Sequence, residues 1–89
     1  MEIGTTVKIV KGNTTRRLPK GVSMRVVSVE TLGADYSHAV RVVFRVLNGF
    51  RAGEQTTWFA RHINRLSDPI VAFNTGNPLE TLRVKVSKS

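Results

Sequence analysis

"HAVRVVFRVL", residues 38–47, is the stretch whose reading decides the fold. Its even positions, Val40, Val42, Phe44 and Val46, are wholly apolar, and its odd positions read Arg41, Val43, Arg45 and Leu47. Side chains of a strand point alternately to its two faces, so this period of two puts the even set in a core and the odd set on a mixed outer surface. Asn48-Gly49 follows at once, a dipeptide that accepts the left-handed angles of a hairpin turn.

The same period recurs on both sides. Thr6–Lys11 alternates Val7 and Ile9 against Lys8, and Val22–Thr31 sets Met24 and Val26 on one face with Arg25, Val27 and Val29 on the other. Downstream, Thr56–Phe59 reads as a short fourth strand. Pro69–Phe73 reads as a fifth, with proline at its first position, where a missing donor is tolerated. Leu82–Val86 is a sixth, with Leu82, Val84 and Val86 inward and Arg83 and Lys85 outward. Gly12-Asn13, Pro19-Lys20-Gly21, Gly33-Ala34-Asp35 and the stretch 74–78 supply turn formers between these runs. Only Ala60–Asn64 has the character of a helical turn. Short strands separated by turn signals predict an all-β barrel or sandwich. The expected core is Val7, Ile9, Met24, Val26, Val40, Val42, Phe44, Val46 and Phe59.

With 89 residues the chain has the length of one domain, residues 1–89, and a thin core. It has no cysteine, which rules out disulfides and thiolate metal sites and suits a reducing compartment. No apolar run approaches the roughly 18 residues of a membrane span, and Met1-Glu2-Ile3-Gly4 lacks the regions of a signal peptide. A soluble, cytoplasmic protein without membrane contact is the expectation. Fourteen Lys and Arg oppose six Asp and Glu, for a net charge of +8. That field attracts polyanions. Arginine outnumbers lysine, and guanidinium both binds phosphate bidentately and stacks on bases.

Three segments carry a resemblance. Gly4-Thr5-Thr6-Val7-Lys8-Ile9-Val10-Lys11-Gly12 sets an alternating strand between two glycines, and Pro19-Lys20-Gly21 turns into Met24-Arg25-Val26-Val27-Ser28-Val29. Trp58-Phe59-Ala60-Arg61-His62-Ile63-Asn64-Arg65-Leu66 looks like a strand that ends in a single 3₁₀ turn. Over residues 4–68 the chain resembles an SH3-like small barrel, in the KOW-type variant of ribosomal proteins and transcription factors. The resemblance implies about five strands with one short helical turn, to which residues 69–86 add a C-terminal strand extension. It also implies that the first loop touches RNA or protein. Two departures stand beside it: the interval from Gly12 to Gly21 lacks the family's intervening glycine, and the tail has no counterpart in the basic barrel.

Three groups of residues are candidates for contact. Arg16, Arg17 and Lys20 lie on the first loop, although charge is also the default composition of hairpin loops; the Asn13-Thr14-Thr15 sequon there signifies nothing in a cytosolic protein. Arg41, Arg45 and Arg51, joined by Arg25 from the neighbouring strand, form a second group, although arginines also lie over residues such as Val43 and Leu47 merely to cover them. Trp58, Phe59, Arg61, His62 and Arg65 are the densest mixture of aromatic and basic residues. There Phe59 is expected inward and Trp58 partly exposed for base stacking, with Tyr36 the other aromatic able to stack. No metal-ligand spacing, nucleophile elbow or phosphate loop is present, so no enzyme activity, metal or cofactor is expected. Non-catalytic binding of nucleic acid, RNA or DNA, with low sequence specificity is the leading expectation. The alternative is a protein-interaction or assembly module that meets an acidic partner or pairs between subunits through open strand edges. A basic module of phage or mobile-element origin fits either class.

Overall fold

A computed structural model describes residues 1–32, 39–77 and 79–87, so the expected turn at Gly33–Asp35, Tyr36 and His38 lie outside the described residues. Six strands run through these residues: β1 (Thr6–Lys11), β2 (Ser23–Thr31), β3 (Val40–Val46), β4 (Gln55–Ala60), β5 (Ile70–Asn74) and β6 (Thr81–Val86). Each pairs antiparallel with its neighbour in sequence, and β6 returns to β1, so the sheet closes into a small barrel. One 3₁₀ turn, Ile63–Ser67, joins β4 to β5. No helix is long and apolar enough to cross a membrane.

The architecture is all-β, with six strands where about five were expected. The difference lies in the tail. β6 pairs with β5 through Val71↔Val84 and Phe73↔Leu82, and with β1 through Val7↔Val86 and Ile9↔Val84. Residues 70–86 therefore supply two staves of the barrel and do not extend from it. Leu82 and Val84 are fully buried, and Val86 packs against the same core. That apolar face makes closure favourable, because burying apolar area is the main driving term in folding.

Inside, β3 alternates as expected, with Val40, Val42, Phe44 and Val46 buried. Phe44 meets Phe73 edge to face, with ring centroids 5.3 Å apart and an interplanar angle of 88°. Val7, Ile9, Met24 and Val26 complete the expected set. Phe59 does not belong to it. The register Val42↔Trp58 and Phe44↔Thr56 gives the even residues of β4 the same face as the even residues of β3. Trp58 is therefore fully buried and Phe59 points outward, half-buried. The indole Nε1 donates to Thr56 Oγ1 at 2.9 Å, so burial leaves its polar group paired.

Two bulges reset the alternation. Val26 pairs with Phe44 but Ser28 with Val43, which makes Val27 the extra residue and turns Val29, expected outward, toward the core. On β1, Ile9 pairs with Val84 and Lys11 with Arg83, so Val10 is extra and both Lys8 and Lys11 face outward. The 3₁₀ turn begins three residues later than the expected Ala60–Asn64, because Ala60 is still held in β4 opposite Val40. His62 Nδ1 accepts from the Asn64 N–H at 3.1 Å, and Leu66 anchors the turn in the core.

Candidate nucleic-acid interface

The first loop is a built element. Asn13 and Leu18 exchange backbone hydrogen bonds of 2.8 and 3.0 Å, and Leu18 is fully buried as a plug in the barrel end. Glycine is required at residue 12, since a Cβ there would lie 2.6 Å from Leu18 O and Lys20 N. Asn13 Oδ1 accepts from the Arg16 N–H, and its Nδ2 donates to Thr81 O, tying the loop to the start of β6. Of its three cations, Arg16 is neutralised: its Nε donates to Glu80 Oε2 at 2.9 Å. The Arg16 hydrogen bond, aided by one from the Thr75 hydroxyl, holds the Glu80 carboxyl below the ordinary glutamate range. Arg17 and Lys20 are exposed.

The other two expected groups divide in the same way. Arg41 pairs with Glu30, directly opposite on β2. Arg51 pairs with Glu54 at 3.6 Å and donates to the Arg16 carbonyl at 3.1 Å, bridging the β3–β4 hairpin to the first loop. Arg65 pairs with Asp68 at 3.7 Å. Arg61 and Arg65 flank a groove of about 370 Å³, floored by Ile70, Ala72 and Phe73, beside a seam where β4 and β5 share only the pair Phe59↔Asn74. With Trp58 inside the barrel, this group has no stacking surface of the expected kind; Phe59 lies opposite Arg41.

Four of the five acids among the described residues, Glu30, Glu54, Asp68 and Glu80, are consumed by these pairs. Of the four, only Glu30 lies on the outer face of β6, β1, β2 and β3, where Arg41 takes it up five residues along β2 from Arg25. There the register sets Arg83 opposite Lys11, Lys85 opposite Lys8, and Arg25 opposite Arg45. All six are exposed, and none has an ion-pair partner among the described residues. Lys8 and Arg25 are diagonal neighbours, because Lys8 pairs with Ser23, so the three pairs form one stripe across four strands. Only Arg25 and Arg45 of this stripe were among the expected site residues. The outward direction of Lys8, Arg83 and Lys85 is legible in the alternation, but their meeting depends on barrel closure.

A further residue escaped the sequence reading. Phe50, on the hairpin that follows Asn48-Gly49, is 90% exposed. With Thr14, Arg17 and Pro19 it lines a cleft of about 340 Å³. Among the described residues no three His, Asp or Glu gather as metal ligands. No family model, curated protein or solved structure matches the chain.

Proposed function

We propose that this protein is a non-catalytic nucleic-acid-binding module of the cytoplasm that grips the phosphate backbone, of RNA or DNA, with little regard for sequence. The observation that carries the proposal is the register of the stripe: Arg83↔Lys11, Lys85↔Lys8 and Arg25↔Arg45, with no carboxylate beside them among the described residues. Like charges directly opposite on neighbouring strands oppose folding by roughly 0.2–1 kcal/mol per pair. A row of phosphates turns that repulsion into attraction and gains from the release of condensed counterions. The resemblance of residues 4–68 to KOW-type barrels, whose first loop touches RNA or protein, points the same way.

An assembly module that pairs through strand edges has less support, because β1, β2, β3 and β6 are hydrogen-bonded on both sides. A salt titration tests the proposal, using fluorescence anisotropy of random single- and double-stranded oligonucleotides. Log affinity is expected to fall against log salt by about 0.7–0.9 per phosphate neutralised. Replacing Lys8, Arg25, Arg45 and Lys85 together by serine should weaken binding to all sequences alike. Absence of binding at low salt, despite a net charge of +8, overturns the proposal in favour of an acidic protein partner.

A further inference from the structure

Among the described aromatic residues Trp58, Phe44 and Phe73 are buried, Phe59 is half-buried, and Phe50 alone presents its ring to solvent. An exposed phenyl forfeits the gain that the others make by burial. It is also not the end of a frayed loop. Gly53 N donates to Val46 O at 2.7 Å, Ala52 N to Gly49 O at 3.2 Å, and the Asn48 side chain accepts from Ser23 N at 3.0 Å. Arg51 ties the same hairpin to the first loop through the Arg16 carbonyl. The ring is thus held out on a fixed support.

Arg17 lines the same cleft, with Thr14 and Pro19. Its backbone has φ +56°, the left-handed region that residues other than glycine seldom enter. The Asn13–Leu18 bridge and the buried Leu18 side chain keep it there. Arg17 and Lys20 have no ion-pair partner among the described residues. The Lys20 backbone lies close against Gly12, the residue after Lys11, so the end of the first loop adjoins the end of β1.

We infer that the cleft between Phe50 and Arg17 receives an unstacked base, so that the protein prefers single-stranded nucleic acid to duplex. This rests on the nucleic-acid reading above and names its substrate class. A base in a duplex is already stacked on its neighbours and offers no free face, whereas a base in a single strand can lie on the phenyl ring beneath a guanidinium plane. Stacking is blind to sequence, because every base has a π-face. RNA and DNA share this chemistry.

The test compares wild type, Phe50→Ala and Phe50→Tyr for binding to oligothymidine, oligouridine and a mixed-sequence DNA duplex across a salt series. Since the Phe50 side chain is almost entirely outside the core, both variants should fold as wild type does. Wild type should bind both single strands more tightly than the duplex. Phe50→Ala should weaken single-strand binding about ten-fold and duplex binding less than about two-fold, with the salt slope unchanged because stacking releases few ions. Phe50→Tyr, which keeps a stacking ring, should match wild type. Unchanged single-strand affinity in Phe50→Ala, or equal loss on single strand and duplex, overturns the inference. Salt-dependent binding by wild type would in either case leave the stripe reading standing. Loss of self-association in Phe50→Ala without loss of oligonucleotide affinity also overturns it, and makes the ring a protein contact.

Discussion

Along the row Arg83–Lys11, Lys85–Lys8 and Arg25–Arg45, on the outer face of β6, β1, β2 and β3, cation stands opposite cation; beyond it, from the Glu30–Arg41 end of β2 and β3 round to the β4–β5 seam, Arg16, Arg41, Arg51 and Arg65 each stand beside a carboxylate. Both regions are basic in sequence, but they differ in field. A surface ion pair contributes only about 0–1 kcal/mol to stability, but it cancels the charge that a polyanion would feel. Arginine count therefore does not locate the proposed binding surface. The distribution of the few acids does.

The largest effect expected from breaking this contrast lies in the seam region, whose aromatic is structural. Trp58→Ala should cost about 3–5 kcal/mol, most of the stability of so small a domain, by leaving a cavity in the barrel core and the Thr56 hydroxyl without its donor. The denaturant midpoint measures it, and an unchanged midpoint would mean that the β4 register is wrong.

A smaller effect sharpens the contrast from the other side. Lys85→Glu places a carboxylate opposite Lys8 and should stabilise the barrel by roughly 0.2–1 kcal/mol while weakening oligonucleotide binding. Stability and affinity moving in the same direction in that variant would contradict the claim that the stripe is kept unpaired for a ligand.

The smallest effect concerns acid. The Glu80 carboxyl is held below its ordinary range by Arg16 and then Thr75, so the folded state favours its ionised form. Its contribution is present above the unfolded-state pKa and fades as pH falls through the lower folded value. Glu80→Gln should flatten the acid limb of a plot of denaturant midpoint against pH, and identical limbs would show that the pair does nothing in solution.

Much of the barrel was legible because the even face of β3 is apolar without exception. That face gave the core parity, and the clean alternation of Leu82, Val84 and Val86 against Arg83 and Lys85 marked a sixth strand. What alternation does not carry is which strands become neighbours across the closure. Lys8 and Lys85 are therefore a pair that no local pattern announces. Trp58 was misplaced because Trp58 and Phe59 are adjacent aromatics, so the period of two has no contrast there and only the pairing with β3 decides. Arg51–Glu54 and Arg65–Asp68 were within reach of sequence, being three residues apart, whereas Arg16–Glu80 required the β5–β6 turn to fold beside the first loop. Phe50 carried a readable signal, a large apolar residue just past a hairpin dipeptide, where no strand face could bury it.

The slope of log affinity against log salt, measured on the same single-stranded oligonucleotide for two quadruple variants, tests the central claim most directly. One replaces Lys8, Arg25, Arg45 and Lys85 by serine, and the other replaces Arg16, Arg41, Arg51 and Arg65. Both remove the same formal charge. The account predicts that the first flattens the slope by up to about three units and the second by less than about one, since its arginines are already neutralised. Equal flattening by the two would mean that net charge alone drives binding, and would contradict the stripe as the binding surface.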